Sequence, residues 1–473
     1  MLNRARTMDA TDNHFPEFAE KMRKANSNET AIRAFQYSYE TLLRGGSGLI
    51  PESSIEPVAD LPRLELMASG SAENPALLRQ TVVLKLNGGL GTSMGLERAK
   101  SLLPVKNGQT FLDLIAQQLL FLRRKHGIPL PFFLMNSFST SEDTLTFLAK
   151  YPQFGEPRAM ELMQNQVPKV DAKTLRPLAW PSKPELEWCP PGHGDLYPSL
   201  LGSGLLERLL DQGARYMFVS NSDNLGATLD LDLLGYFAGS GKPFVMEVAE
   251  RTSSDRKGGH LAQRNDKLIL RESAQCPEQD LPAFQDIQRH RFFNTNSIWL
   301  GLDALKQLMT EHGGFLPLPL IKNAKTADPR DKDSPPVFQL ETAMGAAVEL
   351  FENAGAIVVP RTRFAPVKTT SDLLALRSDA YSLTDDYRVV LATDSAQPPA
   401  IDLDSDHYKL VDQLQEKTAA GVPSLKNCRR LAVQGPVLFS ANIIFRGTVR
   451  VLNNSSAARQ LPVGVYEDRE VVL

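Results

Sequence analysis

A chain of 473 residues exceeds what one ordinary core supports, and 42% hydrophobic with 23% charged residues is a soluble globular balance, so two or three domains are expected. The net charge of −3 argues against a surface built to wrap nucleic acid and leaves room for local basic clusters around a small anion. Cys189, Cys276 and Cys428 are too far apart for a disulfide framework or a zinc site. With a polar start and no apolar run of about 18 residues, a cytoplasmic location is expected.

Residues 15–44 carry a helical apolar period through Phe18, Met22, Ile32, Phe35, Tyr39 and Leu42, and the glycines at 45, 46 and 48 end that unit. Residues 51–80, with four prolines, read as a connecting segment. The run 82–86 is a short strand ending in a glycine-rich turn. Thr110 caps a helix that runs to His126, with Asp113 in its first turn and Gly127 as its stop. A strand at 131–135 and a helix from Ser141 follow. Strand-like runs return at 215–220, 243–248, 297–300 and 356–359, mostly separated by helical patterns. That alternation predicts an α/β fold with a mostly parallel sheet and helices on both faces. Asn265-Asp266 reads as a turn between two inserted strands. Beyond residue 382, apolar runs at 431–433, 437–439, 443–445 and 449–452 recur about every six residues, the spacing of a small β-helix stack.

The first chemical signal is the turn after the 82–86 strand, Leu86-Asn87-Gly88-Gly89-Leu90-Gly91-Thr92-Ser93-Met94-Gly95. Glycines let a backbone approach a phosphate and offer bare N–H groups to it; taken alone, the cluster also fits a plain tight turn. A P-loop needs Lys-Ser or Lys-Thr after its last glycine, but Leu96 follows Gly95. A dinucleotide fingerprint needs a third glycine where Met94 stands. The turn continues instead to Lys100, on a loop that can fold back over the same pocket.

Further polar clusters follow. Pro190-Pro191-Gly192-His193-Gly194-Asp195 is a stiff loop before a helix, and His193 can donate a hydrogen bond or serve only structure. Asn221-Ser222-Asp223-Asn224 follows a strand, where an α/β sheet binds ligands; Asp223 can hold Mg2+ beside a phosphate or merely close an Asx turn. Lys257-Gly258-Gly259, Glu272 and Asn294-Thr295-Asn296 can line a hydroxyl-bearing ligand or be ordinary turns. Lys368 stands just before a capped helix, whose start favours anions, and the plain alternative is a surface lysine. His-Glu-x-x-His, Gly-x-Ser-x-Gly and Cys-x-x-Cys are absent from the sequence.

Taken in order and spacing, the pieces resemble the UDP-glucose pyrophosphorylase family. The matching stretches are 86–95, Lys-Ser-Leu at 100–102, Leu-Met-Asn-Ser-Phe at 134–138, 190–195, Val-Ser-Asn-Ser-Asp-Asn-Leu-Gly-Ala-Thr at 219–228, 257–259, Phe-Asn-Thr-Asn at 293–296, Gln-Leu-Glu-Thr-Ala at 339–343 and Pro-Val-Lys-Thr-Thr-Ser-Asp-Leu at 366–373. They span roughly 15–380. The resemblance implies a Rossmann-like nucleotidyltransferase core at 76–382; the residue patterns on either side add a helical segment at 1–75 and a small C-terminal β-helix at 383–473. It also implies a Mg2+-dependent, reversible conversion of UTP and glucose 1-phosphate into UDP-glucose and pyrophosphate.

By that resemblance, Leu86, Asn87, Gly88 and Gly89 hold the uridine end, Met135 lies near the base, Gln164 reads the uracil edge and Gly192 touches the nucleotide. Asn221 and Asp223 face the phosphates, with Asp223 on Mg2+. His193 contacts the sugar phosphate; Gly259, Glu272 and Asn296 line the sugar pocket. Lys100 binds the triphosphate, and Lys368 is the main catalytic cation. Two departures stand out. The family often reads Lys-Gly-Pro-Lys where this chain has Glu97-Arg98-Ala99-Lys100. The part after residue 382, which governs oligomerisation in some relatives, matches poorly, and a homo-oligomer through it is one expectation.

Overall fold

The expected first strand forms as β1, Thr81–Asn87, in a computed structural model that describes residues 13–67, 74–252, 255–393 and 397–473. β2 (Phe132–Asn136) lies parallel beside it, and β3 (Glu161–Met163) lies parallel beside β2. β4 (Tyr216–Asn221) covers the other edge of β1, again parallel. β5 (Phe244–Glu250), β6 (His260–Arg264), β7 (Lys267–Arg271), β8 (Phe292–Gly301) and β9 (Gly355–Val358) complete a nine-stranded sheet. Its order is β7-β6-β8-β4-β1-β2-β3, with β5 beside β8 and β9 beside β5.

The sheet is mostly parallel, as the alternation of elements predicts. β8 runs antiparallel to β4, β5 and β6, and β7 runs antiparallel to β6. The β6–β7 hairpin turns at Asn265 and Asp266, whose φ values of 51° and 61° suit the left-handed conformation that Asn and Asp tolerate.

Alternation along β1 feeds two layers. Val83, with Leu134, Phe218 and Trp299, packs against Phe111, Leu114 and Ile115 of the helix Phe111–His126. Val82 and Leu84, with Met217 and Val219, pack against Leu196, Leu200, Leu205 and Leu302 on the other face. The helix at 111 begins with a full capping box between Thr110 and Asp113 and stops at Gly127 with φ 62°. The predicted helix at 15–44 is instead two helices, Phe15–Lys24 and Glu29–Leu43. Asn28 breaks it, because its carboxamide accepts from Ala31 N at 2.8 Å and caps a new start. These helices pack Phe18, Phe35 and Tyr39 onto Val167, Val170 and Leu340.

Beyond residue 382, β10 (Ala400–Leu403), β11 (Ser424–Gln434), β12 (Ile443–Leu452) and β13 (Gly464–Val472) stack in parallel. Leu431 lies opposite Val449, and Val449 opposite Arg469. The six-residue spacing is therefore not the repeat. The runs 443–445 and 449–452 belong to one strand, while Val437–Leu438 pairs with Arg459–Gln460 in a separate short parallel pair. Leu431, Ile443, Phe445 and Val451 join the cluster that contains Phe111 and Leu373. Among the described residues no helix is long and apolar enough to cross a membrane.

Candidate active site

The carboxyl ends of β1, β2 and β4 finish level, with Asn87 opposite Asn136 and Leu86 opposite both Met135 and Asn221. Ligands collect at this edge of an α/β sheet. The Asn87 side chain is buried and fully engaged. Its amide donates to Asn136 Oδ1 at 2.7 Å and Thr144 Oγ1 at 2.9 Å, and its Oδ1 accepts from Ser222 Oγ at 3.1 Å. The glycine turn then leaves the sheet. Gly91 adopts φ 70°, a conformation that β-carbon-bearing residues resist. Lys100 folds back as expected: its N–H donates to Gly89 O at 3.1 Å, and its ammonium donates to Asp223 Oδ2 at 2.6 Å.

Gln164 and the 190–195 loop close the side next to the glycine turn. Gln164 Nε2 donates to Gly192 O at 2.8 Å, and a β-carbon on Gly88 would stand 2.9 Å from Gln164 Oε1. The loop is pinned by Thr342: Gly194 N donates to Thr342 O at 2.9 Å, and Thr342 N donates to Pro191 O at 3.0 Å. That seam explains why a Gln-Leu-Glu-Thr-Ala stretch belongs with the site. His193 Nδ1 accepts from Met344 N at 3.0 Å, which leaves the proton on Nε2. Burial among protein atoms pushes its imidazole down to about 4, so the ring is neutral near pH 7.

On the other side is a cleft of about 320 Å³ where β8 parts from β4 and turns towards β6. The parting is a bulge at Thr295 and Asn296, with Asn296 at φ 60°. Asn296 Nδ2 donates to Asn221 Oδ1 at 3.3 Å, while its buried Oδ1 has no partner among the described residues. Glu272 faces Gly259 so closely that a β-carbon there would meet its carboxylate at 2.5 Å. Burial pushes Glu272 up from the usual carboxylate range, and hydrogen bonding from Asn294 and the charge of Lys368 draw it partly back. Lys368 is exposed, without a carboxylate in ion-pair range among the described residues. Its Nζ stands 5.8 Å from the Phe293 ring centre and 5.9 Å from that of Phe364.

A chain with this arrangement can be compared with known proteins. The sequence profile of the family described as UTP–glucose-1-phosphate uridylyltransferase matches residues 32–446. The chain belongs to the UTP–glucose-1-phosphate uridylyltransferase family. It is 39% identical over 412 residues to the uridylyltransferase of Solanum tuberosum, covering 86% of this chain and 84% of the relative. It is 36% identical over 457 residues to that of Encephalitozoon cuniculi, covering 96% and 90%. A crystal structure of a single-site mutant of UDP-glucose pyrophosphorylase from Leishmania major in complex with UDP-glucose superposes with a TM-score of 0.93. It is 49% identical and covers 99% of this chain and 100% of that one. The family match also runs past residue 380, where the motifs become sparse.

Of the residues expected for a uridylyltransferase, the cleft unites His193, Asn221, Asp223, Gly259, Glu272, Asn296 and Lys368. Gly89 and Lys100 are tied to it through the bond to Asp223, Gly192 precedes His193 and holds Gln164, and Gly88 lies against Gln164. Leu86 is half-buried at the end of β1. Met135, expected near the base, is 2% exposed and packs in the core with Leu84 and Leu162. Phe293 and Phe364, whose rings meet at 4.9 Å beneath Lys368, escaped the sequence reading as functional groups. So did Glu247 and Arg363. Glu247 sits mid-strand on β5, and its Oε1 and Oε2 accept from Arg363 Nη2 and Nε, both at 2.9 Å. Nothing in a linear pattern pairs positions so distant.

Proposed function

We infer that this chain transfers the uridylyl group of UTP to glucose 1-phosphate, reversibly, forming UDP-glucose and pyrophosphate. The observation that carries this reading is the single cleft uniting Asn221, Asp223, His193, Glu272, Asn296 and Lys368 in a chain of the uridylyltransferase family. A phosphate oxygen of glucose 1-phosphate bonds to the α-phosphorus of UTP, the bond from that phosphorus to the bridging oxygen breaks, and pyrophosphate leaves with the electron pair. The attacking phosphate has a second pKa of about 6 and is already anionic at neutral pH, so no general base is required. A neutral His193 suits that chemistry, because it can donate from Nε2 without taking a proton from the nucleophile.

The barrier is repulsion between two polyanions, so catalysis is positioning and countercharge. Lys368 meets the reacting phosphates and Lys100 the triphosphate. Leu86, Asn87, Gly88 and Gly89, with Gln164, Gly192 and the underlying Met135, frame the uridine. His193 meets the sugar phosphate, and Gly259, Glu272 and Asn296 receive the sugar, the unpartnered Asn296 Oδ1 accepting a hydroxyl. Mg2+ typically takes only one or two protein carboxylates beside substrate phosphates and water, and a lone, partly exposed Asp223 fits that donor set. Asp223 would hold it, with Asn221 alongside, and the ion would neutralise charge on the leaving phosphates.

The chain is read as cytosolic, which its three unpaired cysteines fit. The parallel C-terminal strands are read as a short β-helix from 383 onward, following a helical segment at 1–75 and a catalytic domain at 76–382, with the C-terminal part serving a homo-oligomer. The test of function is pyrophosphate release from UTP with a panel of sugar 1-phosphates, with and without EDTA. Metal-dependent release with glucose 1-phosphate is expected. Release only with another sugar overturns the substrate, and UTP binding without release from any sugar overturns the catalytic roles.

A further inference from the structure

Asp223 and Lys368 lie far apart in sequence, and the proposed mechanism requires both to face one set of phosphates. Neither side chain fixes the other. Asp223 is engaged by Lys100, while the Lys368 ammonium stands over the rings of Phe293 and Phe364 and its N–H donates to Asp372 Oδ2 at 2.8 Å. The reach between them is therefore set by how two backbone segments meet: the loop after β4, and residues 361–368.

Those segments are sewn together at Asn224, which is 1% exposed. Its Oδ1 accepts from Ala365 N at 3.0 Å and Gly226 N at 3.2 Å, and its Nδ2 donates to Arg363 O at 3.1 Å. Val367 N adds a bond to Asp223 O at 3.3 Å. The approach is so close that a β-carbon on Gly226 would stand 2.4 Å from Thr362 O. Both segments are also anchored from below. The Arg363 side chain turns away into its buried pair with Glu247 and donates to Thr228 O at 3.0 Å, while Lys85 donates to Ala227 O at 2.6 Å. Only a carboxamide supplies both the acceptor for the two N–H groups and the donor for the carbonyl at this point. Alanine lacks both, and a carboxylate would face the Arg363 carbonyl without a proton to give.

We propose that Asn224 is a positioning residue that sets the reach of Lys368 towards the phosphates held at Asp223, an assignment that rests on the catalytic role given to Lys368. Asn224 borders the cleft but is 1% exposed, and its carboxamide is spent on backbone groups of the two segments. Misplacement by about 1 Å is enough to cost about 100-fold in rate. Asn224→Ala should lower kcat about 10–100-fold and leave the KM for UTP within about threefold. Gly226→Ala, which pushes the same seam apart by crowding, should reproduce that split and serves if Asn224→Ala does not fold.

The deciding measurement is a double-mutant cycle with Lys368→Ala, read as kcat for pyrophosphate release on protein confirmed folded by thermal melting. In the Lys368→Ala background, Asn224→Ala or Gly226→Ala should cost less than about threefold more, because the group they position is gone. Equal losses in both backgrounds mean that the seam only supports the fold, and overturn the proposal. So does a kcat within about twofold of wild type for both seam variants. If Lys368→Ala by itself retains full activity, the role of Lys368 falls first and takes this assignment with it, an outcome distinct from additivity.

Discussion

Replacing Lys368 by alanine separates catalysis from folding, because the side chain does so little for the fold. It is exposed, and among the described residues no carboxylate pairs with it. Its contacts are the faces of Phe293 and Phe364 at 5.8 and 5.9 Å. A cation over an aromatic ring at an exposed site stabilises by about 0.5–1 kcal/mol, so the variant should melt within a few degrees of wild type. In the transition state the same ammonium faces charge developing on phosphate oxygens. Removing one such donor costs about 2.7–4 kcal/mol, a fall in kcat of about 10²–10³-fold. Glu272, which Lys368 draws down, should rise further from the usual carboxylate range. The assay is steady-state pyrophosphate release with saturating UTP, glucose 1-phosphate and Mg2+, alongside a thermal melt. A kcat within about tenfold of wild type would refute the reasoning, as would a loss of rate matched by loss of folded protein.

Asp223→Ala should abolish Mg2+-dependent turnover, and an unchanged Mg2+ activation curve would contradict its role. Glu247→Ala leaves the buried Arg363 guanidinium with only the longer Asp230 ion pair at 3.5 Å among the described residues and leaves Trp299 Nε1 without its acceptor, so it should cost about 3 kcal/mol of stability in urea unfolding; a cost under about 1 kcal/mol would count against the pair as an anchor. For His193, burial lowers the folded-state value from 6.5 to about 4, so the stabilisation from keeping the ring neutral is present above 6.5 and is lost as pH falls towards 4, where the unfolded chain takes up the proton first. His193→Asn should therefore flatten the decline of melting temperature across that window, and an identical decline in both proteins would show that His193 does not titrate this way.

Much of the site was legible because its pieces are local. A β-branched run followed by glycines marks a strand and a phosphate-sized turn within 15 residues of sequence, 81–95. Thr110 with Asp113, and Asn265 with Asp266, write a cap and a hairpin in neighbouring positions. Other pieces were misread where two local signals competed. The apolar period at 15–44 continues across the break, yet the first helix ends at Lys24, Asn26 turns to φ 58°, and the side chain of Asn28 caps the start of the second helix. Met135 stands opposite Leu86 at the end of β2 and is 2% exposed in the core, a burial that the motif around it does not announce.

By itself, the sequence determined the α/β class, the strand that bears the glycine turn, and the identity of nearly every polar group that lines the cleft, since period, capping and turn chemistry act over a few residues. Only the tertiary structure decided that β8 runs antiparallel between β4 and β5 and bulges at Asn296 beside the cleft. It alone decided that Lys100 reaches Asp223, and that Glu247 and Arg363 are buried against each other. Those pairings depend on which strand edges meet and how long loops close, terms that sum over the whole chain and leave no mark at the positions that end up in contact.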